Sequence, residues 1–386
     1  MGLGGWASIV LICAGLPAAA QQGAGSLTQN QAQPNQNHPA DHPTLSHRPP
    51  PSPLEGQIKL DVVVTDDAGK AVAGLKQKDF TLTDNKKPRP ILSFQAVDGS
   101  LGAGQGEPPV EVILLVDVTN TPLPVVGYER NLIENFLRQN GGKLTQPTSL
   151  MIFDDHGVKG QPQPTKDGNR LADDLNQAES TIHSVRLTTQ TDPDRVTLSL
   201  NALQRIIDAE NTKPGRTFLI WIGEGWPLLE DARYQFTRPE YHAQFDRLVT
   251  MSSELREARI TLYSIYPTDP GITDERRLQH FRGFLKGVPS VNQVRPGDLA
   301  LPVFAIHSGG RAVDTPGDLG DEIAKCIAEA QSYYTLTFNP AAAKHVDEYH
   351  ELKLEVDQPQ LRARTSAGYY VQPAFQFQLP GLSAQH

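Results

Sequence analysis

The sequence predicts an α/β protein, a mostly parallel sheet covered by helices on both faces, joined to a discontinuous antiparallel β domain built from the N- and C-terminal segments of the folded region. Three observations predict it. Between residues 109 and 331, wholly apolar runs alternate with amphipathic stretches, the pattern of strands buried on both faces and of the helices that cover them. Before and after that region, over residues 55–99 and 332–372, apolar and polar residues alternate with a period of two, as in half-buried antiparallel strands. Finally, 386 residues are too many for one compact core, and 31 prolines with 32 glycines leave room for linker.

The chain opens on "MGLGGWASIVLICAGLPAAAQQ". An apolar run from Ala7 to Leu16, followed by Ala18, Ala19 and Ala20, reads as a secretory signal over residues 1–20 with a small-residue cleavage site. That implies export to the periplasm, the cell surface or the medium. The run falls short of the ~20 apolar residues that span a bilayer, and no later segment is long enough, so no transmembrane segment is expected in the mature chain. Residues 21–54 are rich in Gln, Asn and Pro and cannot bury enough apolar surface to offset their ordering entropy; a disordered linker is expected there. A tail over residues 373–386 follows the last patterned segment. With the signal removed, Cys326 is the single cysteine, which excludes an intrachain disulfide. It shares a helical face with Leu319, Ile323, Ile327 and Ala330 and reads as a buried thiol.

In the first β segment, "LDVVVTD" runs into a turn at Asp67, Ala68, Gly69 and Lys70, and "DFTLTDN" and "PILSFQAV" supply further alternating pieces. So short a segment has too few apolar positions to stand alone. The far end of the chain offers the cover. "SYYTLTFNP" alternates Tyr334, Leu336 and Phe338 with threonines, and "ELKLEVD" alternates Leu352, Leu354 and Val356 with charges. These strands, with "RARTSAGYYV", are expected to pack with residues 55–99 as one domain.

Between them, "VEVILLVD", "TSLMIFDD", "RTFLIWIG" and "ITLYSIYP" read as buried strands. Helices are expected around Leu132, Ile133, Phe136 and Leu137, around Val196, Leu200, Leu203 and Ile207, and around Phe245, Leu248, Val249 and Leu255. The formal charge of −9 is spread without blocks, and no basic patch marks a nucleic-acid or membrane-surface partner.

The apolar run "VEVILLVDVTNTP" stops at Asp117, followed by Thr119 and Thr121. In doubly wound sheets, ligands bind beyond the carboxyl ends of strands. Two readings stand at this point. Carboxylate and hydroxyl oxygens suit a hard cation, and the same residues suit a polar turn that caps the next helix.

The ordered set "VVVTDDAGKAVAGLKQKDFTLTDN", "ILLVDVTNT", "GRTFLIWIGEGWP", "ITLYSIYPTDP", "HSGGRAV" and "AQSYYTLTFNP" resembles a von Willebrand factor type A domain protein of acidobacterial type. The resemblance implies a Rossmann-like sheet whose top holds, in binding members, a metal-ion-dependent adhesion site. Asp117 stands at the family's first Asp, and Thr119 and Thr121 stand where it has two Ser residues. The resemblance places a further ligand at Thr191, or next at Thr189, and Glu224 where the family has a late Asp. The implied ion is a divalent cation, Mg²⁺ first, with a ligand carboxylate completing its shell.

The function implied is a secreted or envelope-associated binding and adhesion module, not an enzyme, for a protein or surface ligand. The alternative is a metal-independent structural scaffold of the cell envelope. More remote is a hydrolase using Asp154, Asp155 and His156, which read more simply as a turn. "GEGWP" lacks a nucleophile between its glycines.

Overall fold

The computed structural model of the chain describes residues 56–98, 107–160, 163–182, 192–227, 237–268, 275–316 and 318–371. The expected signal and linker, the tail, and Thr189 and Thr191 lie outside the described residues.

Four strands come first: β1 (Ile58–Thr65), β2 (Phe80–Asp84), β3 (Lys87–Arg89) and β4 (Ser93–Asp98). The α/β region follows as β5 (Glu111–Asp117), α1 (Leu123–Arg138), β6 (Lys143–Asp154), β7 (Gly157–Gly160), β8 (Thr165–Asp167), α2 (Gly168–Ile182) and α3 (Asp192–Glu210). It continues through β9 (Thr217–Ile222), α4 (Arg238–Glu257), β10 (Ile260–Thr268), α5 (Glu275–Arg282), α6 (Leu301–His307), β11 (Ala312–Pro316) and α7 (Leu319–Ala328). The chain then returns to strands β12 (Ser332–Phe338), β13 (Glu348–Val356), β14 (Arg362–Arg364) and β15 (Gly368–Val371).

The central sheet runs β11-β10-β9-β5-β6-β7, with β8 also paired to β6. All neighbours from β11 to β6 are parallel, and β7 and β8 run antiparallel to β6. The chain winds outward from β5 through β6 and β7 in one direction and through β9, β10 and β11 in the other, the doubly wound arrangement. Its switch point is the crevice between the ends of β5 and β9. Strand parity sorts the two faces. Val112, Leu114, Val116, Phe218, Ile220 and Ile222 pack with α1, α2 and α7, while Ile113, Leu115, Leu219 and Trp221 pack with α3, α4 and α6. Cys326 is buried in the first of these cores, and burial pushes its thiol up to about 12. Asp155 and His156 make the β6–β7 turn, where the Asp154 carboxylate accepts the His156 amide at 2.9 Å. Among the described residues, no helix is long and apolar enough to cross a membrane.

The two ends of the folded region make two four-stranded sheets, β14-β1-β12-β4 and β15-β13-β2-β3. Each sheet mixes strands from both ends, for β1 pairs with β12 and β2 with β13, all antiparallel. Leu60, Val62, Leu82, Leu336, Phe338 and Leu354 fill the core between them. The opposite parity of the first sheet faces the α/β unit: Val63, Val97 and Tyr333 join its core.

At this junction lies a charge knot. Arg259 grips Asp61 with two parallel hydrogen bonds of 3.0 and 2.7 Å and Glu107 with a third of 2.6 Å. Arg216 lies between the Phe218 and Tyr333 rings, 4.7 Å from each centroid. Burial alone would raise the Asp61 carboxyl, but Arg216 and Arg259 overcome it and hold it below the usual carboxylate range. A folded-state value below the unfolded one contributes stability at neutral pH that is lost as pH falls through the folded value. Asp61→Ala should therefore cost about 3–5 kcal/mol in denaturant melts at neutral pH, because it takes the carboxylate from the buried Arg216 guanidinium and leaves Arg259 with Glu107 alone. The difference from wild type should shrink as pH is lowered into the acid limb.

Candidate functional site

The site is built on the last residue of β5. Five apolar residues, Val112 to Val116, bury both faces of the strand, and Asp117 follows them, also fully buried. A buried carboxylate needs partners, and Asp117 finds three N–H donors. Its Oδ1 accepts the Asn120 amide at 2.9 Å, and its Oδ2 accepts Asn120 Nδ2 at 2.8 Å and the Trp221 indole Nε1 at 2.9 Å. Burial raises the Asp117 carboxyl above the usual range, against the pull of these donors and of the Arg195 charge. Ionised carboxylates have about four acceptor positions, so roughly one remains, on Oδ1.

The turn after Asp117 is tied down on the α3 side. Asn120 Nδ2 also donates to Ser199 Oγ at 3.0 Å, and Arg195 Nη2 donates to the Asn120 carbonyl at 3.2 Å. Thr119 Oγ1 donates to the Phe153 carbonyl over a long 3.4 Å. Thr121 Oγ1 and Asn120 Oδ1 are buried with no hydrogen-bond partner. Gly223, at the end of β9, lets the two strand ends close. A Cβ there would come within 2.7 Å of Thr121 Oγ1 and 2.9 Å of Asp117 Cβ. Its φ of +137° is also one that side-chain-bearing residues rarely adopt.

Asp117 and Thr121 thus come together at the switch point beside Gly223, while the Thr119 hydroxyl turns to the Phe153 carbonyl at the end of β6. Glu224 is next to Gly223 but exposed to solvent. Its charge bears on Tyr266 at the end of β10, and its carbonyl accepts from Arg277 on α5. Arg277 also pairs with Asp314 and lies over the Tyr266 ring, 5.0 Å from the centroid. Among the described residues, no group of three or more His, Cys, Asp or Glu side chains is arranged to hold a metal. Any ion held here would take hydroxyl and amide oxygens beside the carboxylate.

Four residues of the cluster were not legible as such in the sequence: Asn120, Trp221, Ser199 and Arg195. Trp221 shares the parity of Leu219 on β9, so it points to the α3 face as Asp117 does. Glu129 carries a clearer signal. It sits three residues after Val126 and four before Ile133, inside the apolar stripe of α1, and is fully buried. Neither of its carboxylate oxygens has a hydrogen-bond partner. Burial, and secondarily the charge of Asp117, push its carboxyl well above the usual range.

Fold and site together define a class: a doubly wound α/β domain with an oxygen-rich cluster at the switch point. No protein-family model matches the chain, and no curated protein matches it. Solved structures that resemble it include the human COPII-coat protein Sec24c, 7% identical with a TM-score of 0.32, matched over 73% of this chain and 46% of that one. This chain therefore spans under half the length of that coat protein. A manganese-loaded TRAP protein from Plasmodium vivax is 11% identical with a TM-score of 0.33, over 71% of this chain and 96% of that one. An aerotolerance-related membrane protein from Bacteroides fragilis is 13% identical with a TM-score of 0.30, over 57% of this chain and 98% of that one.

Gly223→Ala should destabilise the protein by about 1–3 kcal/mol, through backbone strain and the forced retreat of Thr121. Trp221→Phe should cost a similar ~1–3 kcal/mol by taking one donor from a buried carboxylate. Urea denaturation of both variants checks this. A double variant less destabilised than the sum would show that the two residues hold the same strand ends together.

Proposed function

We propose that this protein is an exported interaction module without enzymatic activity. In this reading its α/β domain holds a divalent cation, Mg²⁺ first, at the end of β5 and offers it to a carboxylate on a protein or surface ligand. The observation that carries it is the meeting of Asp117 and Thr121 at the switch point, with Thr121 Oγ1 buried and unpartnered and Thr119 in the same turn. A hydroxyl left without a partner in a dry site is costly, and a hard cation is a partner that suits it. Carboxylate, hydroxyl and retained water are the ligands Mg²⁺ takes. Thr191 and Glu224 complete the expected set, with Glu224 on the solvent side. The two-sheet β domain acts as spacer or second contact surface.

One observation favours a second reading, a metal-independent scaffold of the cell envelope. Asp117 already accepts three N–H donors, and the Arg195 guanidinium lies on the same turn. In that reading protein donors stand in for the ion.

Calorimetric titration separates the two. With Mg²⁺ or Mn²⁺ the cation reading expects saturable binding, lost in Asp117→Ala, and a melting temperature that falls when EDTA is added. The scaffold reading expects a flat titration and no response to EDTA.

A further inference from the structure

Within one turn and the helix that follows it, Asn120 Oδ1, Thr121 Oγ1 and both carboxylate oxygens of Glu129 are buried and have no hydrogen-bond partner. Such groups are rare in folded proteins and ask for a cause. Glu129 is the most demanding, because an ionised carboxylate in an apolar stripe is among the costliest groups to bury. Protonation removes the charge but still leaves a hydroxyl donor and a carbonyl acceptor unsatisfied. The location is informative too. Glu129 lies on the face of α1 turned to the sheet, buried with Val126, Ile133 and Leu137; the charge of Asp117 at the end of β5 bears on it, and its own charge bears on Tyr266 at the end of β10.

We infer that Glu129 is a second protein carboxylate of the cation site at the end of β5, bound to the ion directly or through one coordinated water. The inference rests on the cation reading given above. Asp117 and Glu129 together carry two negative charges, which balance a divalent ion inside a buried site. One carboxylate alone leaves a net positive charge there, which an incoming ligand must neutralise. A site so balanced holds its ion without an external carboxylate. The oxygen-only donor set selects hard ions, Mg²⁺, Mn²⁺ or Ca²⁺, over ions that favour sulfur or imidazole. The role that the resemblance gives to the exposed Glu224 passes, at least in part, to a residue on α1.

The test uses Mn²⁺ as probe and the full chain in four forms: wild type, Asp117→Ala, Glu129→Gln and Glu129→Met. Free Mn²⁺ is followed by electron paramagnetic resonance, and melting is followed with and without the ion. Wild type should bind Mn²⁺ saturably and melt higher with it. Both Glu129 variants should bind about 10- to 100-fold more weakly, the range for losing a group that supports a metal site, and lose most of the Mn²⁺-dependent rise in melting temperature. Without the ion, Glu129→Met should melt at or above wild type, since an unpartnered buried acid has been replaced by an apolar side chain of similar length. That result separates a ligand from a residue needed only for folding. Glu129→Gln that is folded and binds Mn²⁺ as wild type does, while Asp117→Ala does not, overturns the role of Glu129 and leaves the cation reading standing. Wild type that binds no Mn²⁺ overturns both.

Discussion

The hydrogen bond from the Trp221 indole to the Asp117 carboxylate, 2.9 Å long, ties together the ends of the two central strands. It joins β5 to β9 at the place where the winding of the sheet reverses and where no crossover helix covers the strand ends. Backbone pairing holds these strands up to Val116 and Ile222; beyond that only side chains can do it. Trp221 is held in turn by Phe153 and Trp226, whose rings meet it edge-on at 5.6 Å. The polar site therefore rests on an aromatic wall, and the position of Asp117 is set by packing as much as by hydrogen bonds.

The β domain extends the same logic to the other end of the sheet. Its first sheet uses one strand parity for its own core and the other for the α/β unit, so the two cores share strands rather than touching through loops. Arg259 carries the polar part of that junction from an unusual backbone position, with φ of +55° just after α4. Glycine would adopt that conformation freely, yet glycine has no guanidinium to grip Asp61 and Glu107. Retaining arginine accepts a backbone strain of order 1 kcal/mol in exchange for a bidentate, half-buried pair.

Much of this architecture was legible in the residues. Runs such as Val112 to Val116 and Thr217 to Ile222 have no polar face, so they had to lie between two layers. The alternation in β12 and β13 announced strands with one dry side, and the chain had no nearer place to bury them than against residues 55–99. Asp117 was legible because it ends an apolar run, and the hydroxyl residues because they follow it at fixed spacing. The rest of the site was not, for two reasons. Trp221 and Ser199 reach it from elements more than seventy residues away, and strand parity indicates a face but not a partner. Asn120 sits between the two threonines and serves as clamp, a role that depends on the turn geometry. Glu129 is the exception, since a lone acid in the apolar stripe of α1 is a visible anomaly in the sequence.

The donors on Asp117 need not compete with an ion. The polarity of the site is divided across the end of β5. On the α3 side lie N–H groups of Asn120, Trp221 and Arg195; Thr121 Oγ1 beside Gly223 and the Glu129 carboxylate on α1 are buried oxygens with no hydrogen-bond partner. Carboxylates that bind metals are commonly held by hydrogen bonds from an outer shell, which orient them and keep them ionised. Three N–H donors and a nearby guanidinium do both for Asp117, offsetting part of the burial that raises its carboxyl. The same division explains why removing one side alone is not neutral. Without the donors, Asp117 has less reason to stay ionised, and without a cation the buried oxygens of Thr121 and Glu129 have no partner within the fold.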